Sequence, residues 1–307
     1  MAHNHHHGSH GHDHGISNYN RAFAIGIALN LGFVIVEAVY GVLAHSVALL
    51  ADAGHNSSDV LSLILAWGAS WLTRRQPSHR YTYGLRRSSI LIALLNAILL
   101  LLAMGGITWE TLQRLSNPEP IAGGTVIGVA AVGIVINTIT ALMFLSGRKQ
   151  DLNLRGAFLH MATDAFVSLG VVLAGVAIVI TGWLWFDPVV SLIIVALVIV
   201  STWQLLRDSV NLALDAVPEG IEPLAVQTYL AERLGVVQVH DLHIWAMSTT
   251  ETALTAHLVM PQGHPGDTFL SQVCHELHDR FGIEHATLQI EIDDSNQSCA
   301  LAPEHKV

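Results

Sequence analysis

Six stretches of this chain are apolar for long enough to cross a bilayer. They lie near 22–43, 47–72, 90–112, 124–147, 156–181 and 187–206. A helix rises about 1.5 Å per residue, so about 20 apolar residues span the hydrocarbon core. Each stretch is therefore predicted to be a transmembrane helix. Ile90–Trp109, Gly124–Gly147 and Pro188–Leu206 hold no formal charge, and the first stretch holds only Glu37. Beyond residue 207 the pattern changes. Residues 222–234 and 265–281 read as helices. Val237–Trp245, Thr252–Met260 and Thr287–Ile292 read as strands, because apolar residues alternate there, as in Leu254, Ala256, Leu258 and Met260. The order α-β-β-α-β predicts a small open-faced sandwich. A unit of that size is marginal alone, which favours dimerisation through it.

Composition supports the division. Of 307 residues, 51% are hydrophobic and only 12% charged, about half the charged fraction of an ordinary soluble protein. Residues 1–207 hold 11 Lys/Arg and 9 Asp/Glu, whereas residues 208–307 hold 3 and 15. The acidic rear disfavours nucleic acid and can concentrate cations. Positive residues mark the cytoplasmic side of a membrane protein. Arg21, Arg74, Arg75, Arg80, Arg86, Arg87, Arg148, Lys149, Arg155 and Arg207 all fall on one side of a six-span plan, and only Arg114 on the other. Both termini are thus expected in the cytoplasm. Cys274 and Cys299 form no CxxC pair, so a disulfide framework is not expected, and no cleavable signal peptide is visible.

The candidate chemistry lies in two apolar stretches. His55-Asn56-Ser57-Ser58-Asp59 recurs as His160-Met161-Ala162-Thr163-Asp164. A helix puts residues i and i+4 on one face, so each copy aims an imidazole and a carboxylate together. Ionisable groups at membrane depth are costly, and so point to function. Two such pairs facing each other make a cage of two His and two Asp, which suits a tetrahedral divalent metal, zinc above all. Asp52 shares the His55 face and is a candidate loading or relay residue. Glu37 and Asn30 read as interhelical hydrogen-bonders. Metal and protons compete for the same ligand atoms, and that competition can couple transport of the two.

Three motifs carry a family resemblance: Ser46–Asp59, Tyr81-Thr82-Tyr83-Gly84, and His240-Asp241-Leu242-His243-Ile244-Trp245 with Thr255-Ala256-His257-Leu258. With the six-span plan they cover residues 20 to 293. The chain resembles the cation diffusion facilitators, specifically bacterial zinc exporters close to the animal zinc transporters. The resemblance implies a homodimer in the bacterial inner membrane with a transport site in each half, at His55, Asp59, His160 and Asp164. It implies export of Zn²⁺, and Cd²⁺ in some relatives, in exchange for H⁺. It also implies a C-terminal α+β ferredoxin-like cytoplasmic domain that holds a structural or regulatory Zn²⁺. His240, His257, His285 and Glu291 match ligating positions of relatives, with His243, His275, His278 and Cys299 as other candidates. Relatives often have Arg-Ala-Glu leading into span three where this chain has Arg87-Ser88-Ser89. Arg87 is then expected to pair with Asp208.

The expected organisation is a disordered His-rich tail (1–20), a six-helix transmembrane domain (21–207), a cytoplasmic metal-binding and dimerisation domain (208–295) and a flexible tail (296–307). Seven histidines, His3, His5, His6, His7, His10, His12 and His14, form the tail's tract, which reads as a loose metal collector. The partners are divalent metal ions, protons, a second copy and the lipid bilayer. An enzyme is disfavoured: no HExxH is present, and a catalytic zinc needs an open coordination position. The remaining alternatives are an exporter of Co²⁺, Fe²⁺ or Mn²⁺, and a membrane metal sensor that does not transport.

Overall fold

The computed structural model describes residues 16–73, 76–145 and 152–292. The histidine tract at 3–14, the tail at 296–307 and Cys299 lie outside the described residues. Six long helices come first: α1 (Ile16–Leu43), α2 (Val47–Thr73), α3 (Ser88–Ser116), α4 (Gly123–Phe144), α5 (Leu152–Thr181) and α6 (Phe186–Ala213). Each coincides with a predicted apolar stretch. Among the described residues, four stretches are long and apolar enough to cross a membrane: Ser88–Ser116, Gly123–Met143, Phe158–Thr181 and Phe186–Ala213. The part of α1 fully described, Ala28–Leu43, is apolar but shorter. The apolar pattern of α2 is interrupted in its first half by Asp52 and by the polar run His55–Asp59.

The chain divides into two compact units. The first takes in residues up to 63 and 99–202. Its core is built from small and branched side chains, among them Ala48, Leu49, Ala51, Met104, Val126, Ala130, Val171 and Val195. Helices α4 and α5 pack closely at Gly123 and Gly175. A Cβ at Gly175 would lie 2.8 Å from Ile127 Cγ1 and 3.4 Å from the Gly123 carbonyl, and a Cβ at Gly123 would lie 2.8 Å from Val179 Cγ2. Small residues allow this approach, which dispersion forces then stabilise. At the start of α2, the Asp187 carboxylate of α6 accepts the Val47 N–H (2.8 Å) and the Ser46 hydroxyl. It thereby satisfies donors that a helix leaves orphaned.

The second unit takes in residues 64–98 and those from 203 onward. It contains α7 (Pro223–Ala231), β1 (Gln238–Ala246), β2 (Thr252–Val259), α8 (Asp267–Phe281) and β3 (His285–Glu291). The α-β-β-α-β order agrees with the alternation in the sequence. The sheet order is β1-β2-β3, with β1 antiparallel and β3 parallel to β2. A parallel neighbour needs a crossover, which α8 supplies. Val226, Tyr229 and Leu230 of α7 and Val273 and Leu277 of α8 share a core with Val239, Ile244, Leu254, Ala256 and Leu258. The even positions of β2 face these helices, so the odd positions, His257 among them, lie on the opposite face. A bulge between His240 and His243 puts Asp241 at φ 50°.

In the same unit, residues leading into α3 bond to the sheet domain. Arg86 Nη1 lies 2.8 Å from Glu251 Oε2, and Ser89 Oγ accepts the Thr249 N–H at 3.1 Å. Arg87 pairs with Asp215, not with Asp208 as the sequence suggested. Asp208 is still inside α6, whereas Asp215 sits just past its end at φ 60°.

Candidate metal centres

The first candidate centre is built within the first unit from α2 and α5. Asp164 is 1% exposed and takes a histidine at each oxygen. His55 Nε2 lies 3.2 Å from Oδ1, and His160 Nε2 lies 3.8 Å from Oδ2. The two imidazole centroids are 6.3 Å apart. The helical period accounts for the second contact, since His160 precedes Asp164 by one turn. The first contact is tertiary and joins the two sequence copies. Asp59 stands on α2 one turn beyond His55.

Two ligand atoms about 2.0–2.1 Å from one tetrahedral ion lie about 3.3 Å from each other. The 3.2 Å between His55 and Asp164 is therefore already a tetrahedral edge. Behind this set lies a polar layer. Ser168, one turn beyond Asp164, donates to Asp52 Oδ2 at 3.0 Å, and Asn56 Nδ2 donates to Glu37 Oε2 at 3.0 Å. Asn30 Nδ2 reaches the sulfur of Met161 at 3.4 Å. Ser168 and Asn56 were not singled out in the sequence. Their signal was position, one turn past Asp164 and next to His55.

The second centre lies on the helix-free face of the sheet. His240 and His257 are directly paired across β1 and β2, with ring centroids 5.1 Å apart. Glu291, from β3, lies 2.8 Å from His257 Nδ1 and 3.3 Å from His240 Nε2. Ligand atoms of these three residues all fall within 4.8 Å of one another. Both ring nitrogens of His240 are buried; Nδ1 has no hydrogen bond among the described residues, and the approach of Nε2 to Glu291 lacks hydrogen-bond geometry. A buried polar ring left in that state is one that a ligand would complete. Asp241, which the sequence did not mark, adds a carboxylate 3.4 Å from His257 Nε2 and 3.0 Å from His243 Nε2. The bulge turns it there.

His285 does not join the cluster. It opens β3 opposite Ala253, while Glu291 closes that strand opposite Val259. Its ring instead stacks edge-on to Tyr83 at 5.6 Å. A strand rises about 3.3 Å per residue, so the six-residue separation is far beyond ligand distance. His275 forms an exposed pair with Asp279 on α8 at 3.3 Å.

Residues 23–212 match the cation efflux transmembrane domain, and residues 218–293 match the cation efflux protein, cytoplasmic domain. The chain belongs to the cation efflux family. Similar relatives cover nearly all of it. A "Cadmium, cobalt and zinc/H(+)-K(+) antiporter" of Bacillus subtilis is 33% identical, over 97% of both chains. The "Zinc transporter ZitB" of Escherichia coli is 36% identical over 92% of both. The "Metal cation efflux system protein CzcD" of Cupriavidus metallidurans is 35% identical over 95% of this chain and 92% of that protein. This cation efflux protein is accordingly a multi-pass membrane protein with a cytoplasmic C-terminal domain. The helical half holds the His55/Asp164 set, and the cytoplasmic half holds the His240/His257/Glu291 set.

Proposed function

We propose that this protein exports Zn²⁺, with Cd²⁺ as a second substrate, from the cytoplasm of a bacterial cell in exchange for protons. The observation that carries the reading is Asp164 with His55 at 3.2 Å, a tetrahedral edge length, and His160 at 3.8 Å, with Asp59 one turn from His55. Two imidazoles and two carboxylates carry a formal charge of −2, which offsets a divalent ion where water is scarce. The same charge without an ion is expensive to bury. Protons discharge it as well as metal does. Loading metal from one side and protons from the other therefore keeps the site near neutrality at each crossing.

In this reading all six helices span the inner membrane. The polar run of α2 lines the site, and the positive residues hold both termini in the cytoplasm. The sheet domain is ferredoxin-like and pairs with that of a second copy. Its His240, His257 and Glu291 hold a Zn²⁺ that stiffens the domain and reports cytoplasmic zinc, since metal binding to a folded site adds directly to its stability. The names of the Escherichia coli and Bacillus subtilis relatives support zinc as the substrate, and the latter extends the range to cadmium and cobalt.

The test is zinc uptake into sealed proteoliposomes under an imposed pH gradient, with the native chain and Asp164→Ala compared. Uptake that follows the gradient and falls at least about 100-fold in the variant is expected. That is beyond the ~10–100-fold typical of losing a group that only orients a ligand. Equal uptake by the two proteins would move the site elsewhere. Native protein that binds zinc but carries none would favour a sensor.

A further inference from the structure

Two buried carboxyl groups beside the His55/Asp164 set take no part in it. Glu37 of α1 and Asp52 of α2 are both fully buried. Each has one oxygen accounted for: Asn56 donates to Glu37 Oε2 and Ser168 to Asp52 Oδ2, both at 3.0 Å. The other two, Glu37 Oε1 and Asp52 Oδ1, have no partner among the described residues. Asn56 stands one turn beyond Asp52 on α2, so the Glu37 carboxyl that it holds lies along the same helix face as Asp52. Ionised carboxylates only accept, so two facing carboxylate oxygens repel. One proton between them turns that repulsion into a short hydrogen bond and satisfies both orphaned oxygens at once.

The ionisable groups of the adjacent metal set are Asp164 of α5, whose negative charge favours holding that proton, and His55 of α2, which opposes it when charged. Helix α4 has no ionisable side chain, the described Glu110 and Arg114 of α3 bond to each other, and Asp187 of α6 is engaged by Ser46 and Val47.

The position has a direction. Asp52 precedes His55 by three residues on α2, and Ser168 follows Asp164 by four on α5. Both displacements run toward the 44–46 and 182–185 connections. In the proposed orientation that is the side away from the cytoplasm, from which protons arrive. We infer that Glu37 and Asp52 form a proton-binding site on the far side of the metal set, and that it carries one of the protons exchanged for each metal ion. The inference rests on the antiport reading. The step balances in charge: arrival of a dication at His55 and Asp164 expels the shared proton to water on the cytoplasmic side. Departure of the dication on the far side lets a proton from that side rebind between the two carboxyls.

Two readouts test this on the full chain. The first is infrared difference spectroscopy of the reconstituted protein without metal at neutral pH. A protonated-carboxyl band is expected in the native chain, and its loss in both Glu37→Gln and Asp52→Asn. The second is simultaneous recording of zinc and proton fluxes in proteoliposomes, where the variants should move fewer protons per zinc than the native chain. Two variants are used so that one that fails to fold, judged by circular dichroism, does not remove the test. If a folded variant keeps both the band and the native proton-to-zinc ratio, the proton-site inference is overturned while antiport stands. If the native chain carries zinc without moving protons, the antiport reading fails and the proposed exchange role fails with it. The band alone would then report whether the pair holds a proton.

Discussion

Asp164 and Glu291 show how a single carboxylate organises a site. Each has two oxygens in a plane and a histidine near each oxygen. At the sheet site, position along the strand decides membership. Glu291 and His285 share β3 but sit at opposite ends of it. Zinc added to the full chain is therefore expected to raise its melting temperature. His257→Ala and Glu291→Gln should reduce that zinc-dependent rise, and His285→Ala should leave it intact. A thermal shift assay with and without a chelator measures it. Loss of the rise in the His285 variant alone would contradict this assignment. Asp241 is a gentler case. Its carboxylate touches His243 and His257, so it helps to orient those rings.

At the scale of elements, α4 and α5 pack closely at two glycines. A valine at position 175 would drive its branched carbon into Ile127 and the Gly123 carbonyl. Overpacking of this kind typically costs about 1–3 kcal/mol, so Gly175→Val should lower the thermal stability of the reconstituted protein. A native melting curve for that variant would show that the helices can part without cost. In the sheet domain, α7 and α8 are joined through Glu276. Gln272 and then Tyr229 donate hydrogen bonds to it, and Arg233 adds a third contact at 3.3 Å. These donors hold the Glu276 carboxyl below its usual range. A depressed carboxyl contributes stability above its unfolded pKa and loses it as pH falls through the folded one. The difference between native and Glu276→Gln in urea unfolding should thus be steady at neutral pH and vanish in acid. Burial, and then Glu276, pushes the Tyr229 phenol up to about 12. Its contribution is present below about pH 10 and lost as pH rises toward 12.

At the scale of the molecule, the charge asymmetry becomes a statement about sides. Ten of the eleven positive residues before 208 belong to the proposed cytoplasmic side. In a chain stripped of its two cysteines, Trp183→Cys should react with a membrane-impermeant maleimide added outside intact cells. Leu234→Cys, on the sheet domain and highly exposed, should react only after the membrane is opened. The reverse pattern would invert the proposed direction of transport. The sheet domain is small enough that pairing with a second copy would add materially to its stability.

Much of this was determined by the sequence alone. Long apolar runs marked the helices, four of them long and apolar enough among the described residues to cross a membrane, because a bilayer demands length and lack of charge. Two-residue alternation set the strands, because a half-buried strand shows its faces in turn. The repeated His-x-x-x-Asp made the first candidate site legible, since i and i+4 share a face wherever a helix forms. Only the tertiary structure decided what met across elements. It set Asp164 between His55 and His160, brought Glu291 to His240 and His257 while leaving His285 aside, paired Arg87 with Asp215, and stood Glu37 against Asn56. Local periodicity fixes directions within one element. Distances between elements depend on how their faces pack, and no spacing along the chain encodes those.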